Sequence, residues 1–209
     1  MDIIEKLQWR YATKKFESKT LISKERLNVI KEAFNLTATS YGLQPIKLLI
    51  VSDKEFQNEL VKYSMDQEQV AQASHVLVFC IENKIDKKYI ETYFKRVQQI
   101  RSTPDDILNP FKEFLIDDFK TRSKENIKNW AIKQAYLAMG NLLTVCAIEG
   151  IDACPMEGFE PSAYDELLSL KKRGLKSVLV MPIGYRAKED MFAGFKKVRK
   201  KVSDSVIEM

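Results

Sequence analysis

The chain has 209 residues, 45% of them hydrophobic and 30% charged, with only seven Gly and six Pro. That composition excludes a disordered, collagen-like or low-complexity protein, and one folded domain spanning 1–209 should bury roughly 70% of the surface its unfolded chain exposes. A net charge of +5 and a pI near 8.9 favour anionic ligands without requiring nucleic acid.

Asp2 precedes Ile3, Ile4 and Leu7 and has Glu5 three residues on, the spacing of a capped first helix with an apolar face. Met1-Asp2-Ile3-Ile4-Glu5 has no basic region leading into an apolar segment, so no secretory signal is expected. The helix delivers Trp9-Arg10-Tyr11-Ala12-Thr13-Lys14-Lys15-Phe16, two cations four residues apart among aromatics. Arg10 offers a rigid fork of donors suited to phosphate and Lys14 a mobile point charge. Two solvated cations at a helix end are the plain alternative. Ser23 caps a second helix with Leu27, Ile30, Ala33 and Phe34 at helical spacing. Thr37, Ala38, Thr39 and Ser40, followed by Gly42 and Pro45, break that helix and form a loop able to touch a ligand.

Residues 46–52 read as a strand, with Asp53 capping the next helix, and 75–81 as a second strand apolar enough to be buried on both faces. Between them, 64–70 form a short polar helix start. Tyr89, Tyr93, Phe94, Val97 and Ile100 give a helical stripe over 86–101, and 102–106 turn the chain. Phe111, Phe114, Leu115 and Phe119 mark another, more mobile helix.

Ser123 opens the longest helix, running to Gly150, whose half at 134–148 is apolar nearly all round. Ala131, Ala135, Ala138 and Gly140 allow close approach, as in the central helix of a core or of a subunit interface. The apolar stretch 135–148 is shorter than the roughly 20 residues a bilayer requires. A segment at 151–159, a helix from Ser162 and a third buried strand at 177–184 follow. A basic tail, 185–209, ends with Val202, Val206 and Ile207 placed to pack on something.

Cys80, Cys146 and Cys154 are an odd set without paired spacing and read as reduced and structural, consistent with a cytoplasmic protein. His75 is the only histidine and opens a buried strand, which excludes a His-based triad or a histidine-rich metal site. Neither a Gly-x-Gly-x-x-Gly run nor a P-loop is present, so any phosphate must be held by side-chain cations. The candidates are Arg10, Lys14, Lys197 and Arg199. The 195–201 run also suits a solvated tail or a nucleic-acid patch, though its aromatic interleaving is thin.

Six motifs recur in one order: Arg10-Tyr11-Ala12-Thr13-Lys14; Thr39-Ser40 then Gln44-Pro45; Ala73-Ser74-His75-Val76-Leu77-Val78-Phe79; Gly140-Asn141; Pro155-Met156-Glu157-Gly158-Phe159; and Lys197-x-Arg199. Over essentially the full length this resembles the flavin-dependent nitroreductase family, of the oxygen-insensitive NAD(P)H nitroreductase and dihydropteridine reductase type. The resemblance implies an α+β fold, with a mostly antiparallel central sheet wrapped by helices, a long central helix and an extended C-terminal tail. It also implies a homodimer with FMN at the subunit interface, and no nucleic-acid or membrane partner.

Carried over by residue, Arg10, Lys197 and Arg199 would hold the FMN phosphate, with Tyr11 and Ala12 beside them in the cofactor site. Lys14 would lie near flavin N1 and O2, where a cation stabilises the charge gained on reduction. Met156, Glu157 and Gly158 match the segment whose backbone N–H faces N5, with Lys14 and Glu157 the catalytic pair. Thr37, Ala38, Thr39 and Gly42 would cover the ring from the other subunit, and Asp66 and Gln69 would meet its pyrimidine edge. Two departures stand out. Asp66 replaces the usual amide and would oppose anionic charge, and Gly42 with Leu43 would loosen the cover loop. The implied reaction is ping-pong hydride transfer from NADH or NADPH through FMN to a nitroaromatic, quinone or pterin. A sibling enzyme with another FMN-dependent reduction, or a basic nucleic-acid-binding protein, is the alternative.

Overall fold

The run from His75 to Glu82 has no polar interruption because both of its faces are covered. In the computed structural model, which describes residues 2–209, this strand (β2, His75–Glu82) lies in the middle of a four-stranded antiparallel sheet. It pairs on one side with β1 (Ile46–Val51) and on the other with β4 (Leu175–Gly184), whose far edge carries the two-residue β3 (Asp152–Ala153). Side chains alternate across the pleat. Leu77, Phe79 and Ile81 join Leu179, Met181 and Ile183 in one core, while Val76, Val78 and Cys80 join Val180 and Leu175 in a second core on the opposite face. A bulge between Phe79 and Cys80 offsets the β2–β4 register by one residue.

The larger core packs under α2 (Lys24–Asn35), α5 (Lys87–Arg101), α6 (Asp105–Thr121) and α7 (Lys124–Ile148). The smaller lies under α3 (Lys54–Val61) and α8 (Pro161–Leu167), with α4 (Gln69–Gln72) alongside. Side-chain caps fix the starts of several helices: Ser23, Asp53, Asp86 and Ser123 each accept a first-turn backbone N–H. The expected α+β architecture is therefore present. The third strand starts at Leu175, two residues before the expected Ser177, and the helix expected from Ser162 starts at Pro161, which serves as its first residue. β3 is too short to carry a periodic signal.

α7 presents Ala131, Ala135, Ala138 and Leu142 to the core, each fully buried. By length and composition alone it would suffice for a bilayer span, yet this face is a protein core. Its other side leaves Tyr136 and Leu137 exposed. α1 (Ile3–Trp9), which packs beside it, buries no residue, so Ile3, Ile4 and Leu7 face outward. The tail also departs from expectation within a single chain: Val202, Val206 and Ile207 are 53–88% exposed and join neither core. Leu43 is 2% exposed and belongs to the larger core, which corrects its reading as a loosened cover-loop position.

Candidate functional site

Beyond α1 the backbone turns extended at Arg10, and residues 10–16 run along the edge of the sheet. Ala12 bridges Ala153 of β3, with Thr13 N donating to Ala153 O at 3.3 Å, and Phe16 bridges Arg186. Two carboxylates fix this ribbon. Buried Asp190 accepts from Lys14 N at 2.9 Å, Lys15 N at 3.1 Å, Phe192 N at 3.1 Å and the Tyr11 hydroxyl at 2.9 Å. Burial alone would raise its pKa, but these donors outweigh it and hold the carboxyl below its ordinary value. The Tyr11 phenol is pushed up to about 12 by burial and by its bond to Asp190. Buried Asp152 pairs with the Arg186 guanidinium at 2.6 Å and takes Arg186 N at 2.8 Å, and that guanidinium lies 4.2 Å over the Trp9 ring and 4.6 Å over the Tyr11 ring.

One end of the ribbon is a cluster of cations. The Lys197 ammonium donates to Arg10 O, which joins residues 187 apart in sequence. Burial and then Arg199 lower the Arg10 pKa, and burial, then Arg10, Arg199 and Arg186 lower that of Lys197. Among the described residues, none of Arg10, Lys197 or Arg199 has a carboxylate in ion-pair range. Crowded like charges without a counterion suit a multiply charged anion such as a phosphate.

Lys14 occupies the other end. Its ammonium is 3.8 Å from Cys154 Sγ, which also lies 3.8 Å from Gln69 Nε2. Burial pushes the Cys154 thiol up, the Lys14 charge opposing. The Cys154-Pro155-Met156 segment is laid along β4 by Cys154 N donating to Pro182 O at 3.0 Å and by a Met156–Val180 bridge. Met156 is 4% exposed with its side chain in the smaller core, and its backbone N–H and C=O are both paired with Val180, at 2.8 and 3.1 Å, so it holds the segment in place. Beyond it, exposed Glu157 accepts the Tyr136 hydroxyl at 2.6 Å, and Gly158 O accepts Gln67 Nε2 at 3.1 Å. A Cβ at Gly158 would sit 3.2 Å from both Gln67 Nε2 and Met65 Sδ, so glycine answers a close approach here.

The structure thus joins Lys14, Gln69, Met156, Glu157 and Gly158 in one region and Arg10, Lys197 and Arg199 in another, with Tyr11 and Ala12 on the ribbon between. Asp66 is exposed on the turn before α4. The 37–42 loop stands apart from these contacts. Thr37 Oγ1 donates to Ala33 O at 3.1 Å and accepts Asn141 Nδ2 at 2.9 Å, Thr39 Oγ1 accepts Gln44 N at 3.0 Å, and Ala38 is exposed. Gly42, at φ +71°, has the Tyr93 hydroxyl 2.6 Å from where a Cβ would be, so this glycine is demanded by its own chain. Asp152, Asp190, Arg186 and Gln67 have no short-range pattern that marks them in the sequence.

A sequence model of the nitroreductase family matches residues 7–185, most of the chain and nearly all of the ribbon and sheet just described. The chain belongs to the nitroreductase family. Its relatives include the oxygen-insensitive NAD(P)H nitroreductases of Enterobacter cloacae, 30% identical over 217 residues, and Salmonella typhimurium, 29% identical over 222 residues. Each alignment covers 100% of both chains. The chain also shares its fold with a nitroreductase-like protein from Streptococcus mutans, at a TM-score of 0.85 and 21% identity over 99% of this chain and 97% of that one. A crystal structure from Exiguobacterium sibiricum, described as a complex with FMN, gives a TM-score of 0.86 at 21% identity over 100% and 98%.

Proposed function

We infer that this chain is an FMN-dependent NAD(P)H oxidoreductase of the nitroreductase type, acting on nitroaromatic, quinone or pterin acceptors by a ping-pong mechanism. The observation that carries the reading is the cluster of Arg10, Lys197 and Arg199 at one end of the ribbon, without a carboxylate in ion-pair range among the described residues, and the Lys14 ammonium against Cys154 Sγ at the other. A mononucleotide needs those two charges, one set for its phosphate and one for its ring.

When bound, FMN would supply the two-electron redox chemistry between NADH or NADPH and the acceptor. The protein holds and polarises. Arg10, Lys197 and Arg199 grip the phosphate, each charge-assisted bond contributing about 1.5–3 kcal/mol. Lys14 would face the pyrimidine edge, where its charge would favour the reduced ring. Gln69 lies beside it, and Asp66 offers an acceptor to a ring N–H. The Gly158 backbone N–H would face N5, with Glu157 anchored aside by Tyr136. Donor and acceptor use the same open face in turn.

The working unit is a homodimer in a reducing compartment. The outward apolar faces of α1 and α7 and the unpacked Val198, Val202 and Ile207 suit a second copy of the chain. Its Thr37, Ala38, Thr39 and Gly42 cover the ring. The free thiols Cys80, Cys146 and Cys154 are all buried and fit such a compartment. The test is direct. Purified protein should be yellow, release FMN on denaturation, and bleach with NADH or NADPH under anaerobic conditions. A preparation that neither takes up FMN nor oxidises either nucleotide ends this reading, and salt-sensitive oligonucleotide binding in its place would make the 195–201 run a nucleic-acid patch.

A further inference from the structure

Gly158 is the residue with the greatest backbone freedom in the segment assigned to face flavin N5, and a freely rotating glycine would not hold its N–H in one direction. Two hydrogen bonds restrain it. The Glu157 carbonyl, in the same peptide unit as the Gly158 N–H, accepts Phe159 N at 3.0 Å. The Gly158 carbonyl, on the other side, accepts Gln67 Nε2 at 3.1 Å. The first bond lies within the turn itself. The second comes from a side chain 91 residues away and is the one that ties the turn to the body of the protein.

Gln67 is in turn held. Its Oε1 accepts Gln69 Nε2 at 2.8 Å, and that nitrogen lies 3.8 Å from Cys154 Sγ, the sulfur that also meets Lys14 Nζ at 3.8 Å. The amides therefore point one way, from the Lys14 end to the Gly158 carbonyl, and each bond polarises the next. The backbone that delivers Gln67 is unusual. Met65 and Asp66 are consecutive non-glycine residues with left-handed φ of 54° and 53°, a conformation that costs each about 1 kcal/mol. Two strained residues are retained where they bring Gln67 against Gly158.

We propose that Gln67 is a positioning residue that locks the Gly158 peptide and, through Gln69 and Cys154, links its orientation to the Lys14 ammonium. This rests on the reading of the site as an FMN site. The role differs from that of Arg10, which acts on the affinity for the phosphate.

The test uses the full-length holoenzyme and the variants Gln67→Ala, Gln67→Glu and Lys14→Gln. For each, FMN dissociation constant, flavin midpoint potential, melting temperature and the anaerobic single-turnover rate of flavin reduction by NADH are measured. Gln67→Glu keeps an acceptor for Gln69 but has no N–H for the Gly158 carbonyl, so it separates the two bonds. Both Gln67 variants should slow flavin reduction about tenfold or more and displace the midpoint potential, with the FMN dissociation constant changed less than about threefold. The potential shifts of Gln67→Ala and Lys14→Gln should be non-additive in the double variant. Wild-type rate and potential in Gln67→Glu, or rate losses that only mirror lost FMN affinity, would overturn the proposal, and additive shifts would overturn the link to Lys14. Protein that takes up no FMN at all overturns the functional reading and this inference with it. Protein that takes up FMN normally and ignores Gln67 overturns this inference alone.

Discussion

The Asp190 carboxylate accepts the backbone N–H of Lys14 at 2.9 Å across 176 residues of chain, and it is the fourfold acceptor that holds the cofactor ribbon against the sheet edge. Asp190→Ala would leave Lys14 N, Lys15 N, Phe192 N and the Tyr11 hydroxyl without their acceptor. A loss of about 3 kcal/mol is expected in urea unfolding, together with weaker FMN binding.

The same carboxylate sets an acid limit. Its folded pKa is depressed, so its contribution is fully present above the unfolded value of about 3.9 and is lost as pH falls through the lower folded value. Stability attributable to Asp190 should be flat at neutral pH and fall below about pH 4. Asp190→Asn should flatten that part of the stability-pH curve. An unchanged slope in the variant would remove Asp190 from the acid transition.

Arg10 and Lys14 should separate in their effects. Arg10→Ala removes a proposed phosphate contact and should weaken FMN binding by about 1.5–3 kcal/mol, roughly 10- to 150-fold, with little change in the potential of the bound flavin. Lys14→Ala should also lower the potential, because the reduced ring loses its cation. Fluorescence titration and spectroelectrochemistry measure the two quantities, and identical effects on affinity alone would refute the division.

Gly42→Ala should destabilise the chain by about 2 kcal/mol or more, from left-handed strain and from the Tyr93 hydroxyl 2.6 Å from the new Cβ. Adding Tyr93→Phe removes the shortest contact, leaving the ring carbon at 3.3 Å and the strain, and thermal unfolding should recover part of the loss.

If the proposed dimer forms through α7, Leu137→Lys on its exposed side should dissociate it and lower FMN affinity while leaving far-UV circular dichroism unchanged. Sedimentation of the variant as a dimer with FMN retained would place the subunit contact elsewhere.

The sheet strands and long helices were legible because their signals are local: the unbroken 75–81 run, the alanine-lined 134–148 face, and Ser or Asp caps at helix starts. The cations were legible as types at spacings. Asp152 and Asp190 were not. Each is a single carboxylate in an unpatterned segment, and its value comes from donors that only the folded chain brings near. The hydroxyls of Thr37 and Thr39, expected to be free for a ligand, are occupied by Ala33, Asn141 and Gln44. A run of small polar residues does not reveal whether its groups are already bonded. Cys154 read as an inert buried thiol until its contact with Lys14 gave it a place beside the cation.

The Lys197 ammonium meets the Arg10 carbonyl across 187 residues of chain. Every strand of the sheet ends by Gly184, and Asp190 precedes the tail, so a chain cut after Phe195 keeps the sheet and the carboxylate that fixes the ribbon but lacks Lys197 and Arg199, which the proposed reading gives to the phosphate. Such a shortened chain should fold without acquiring colour.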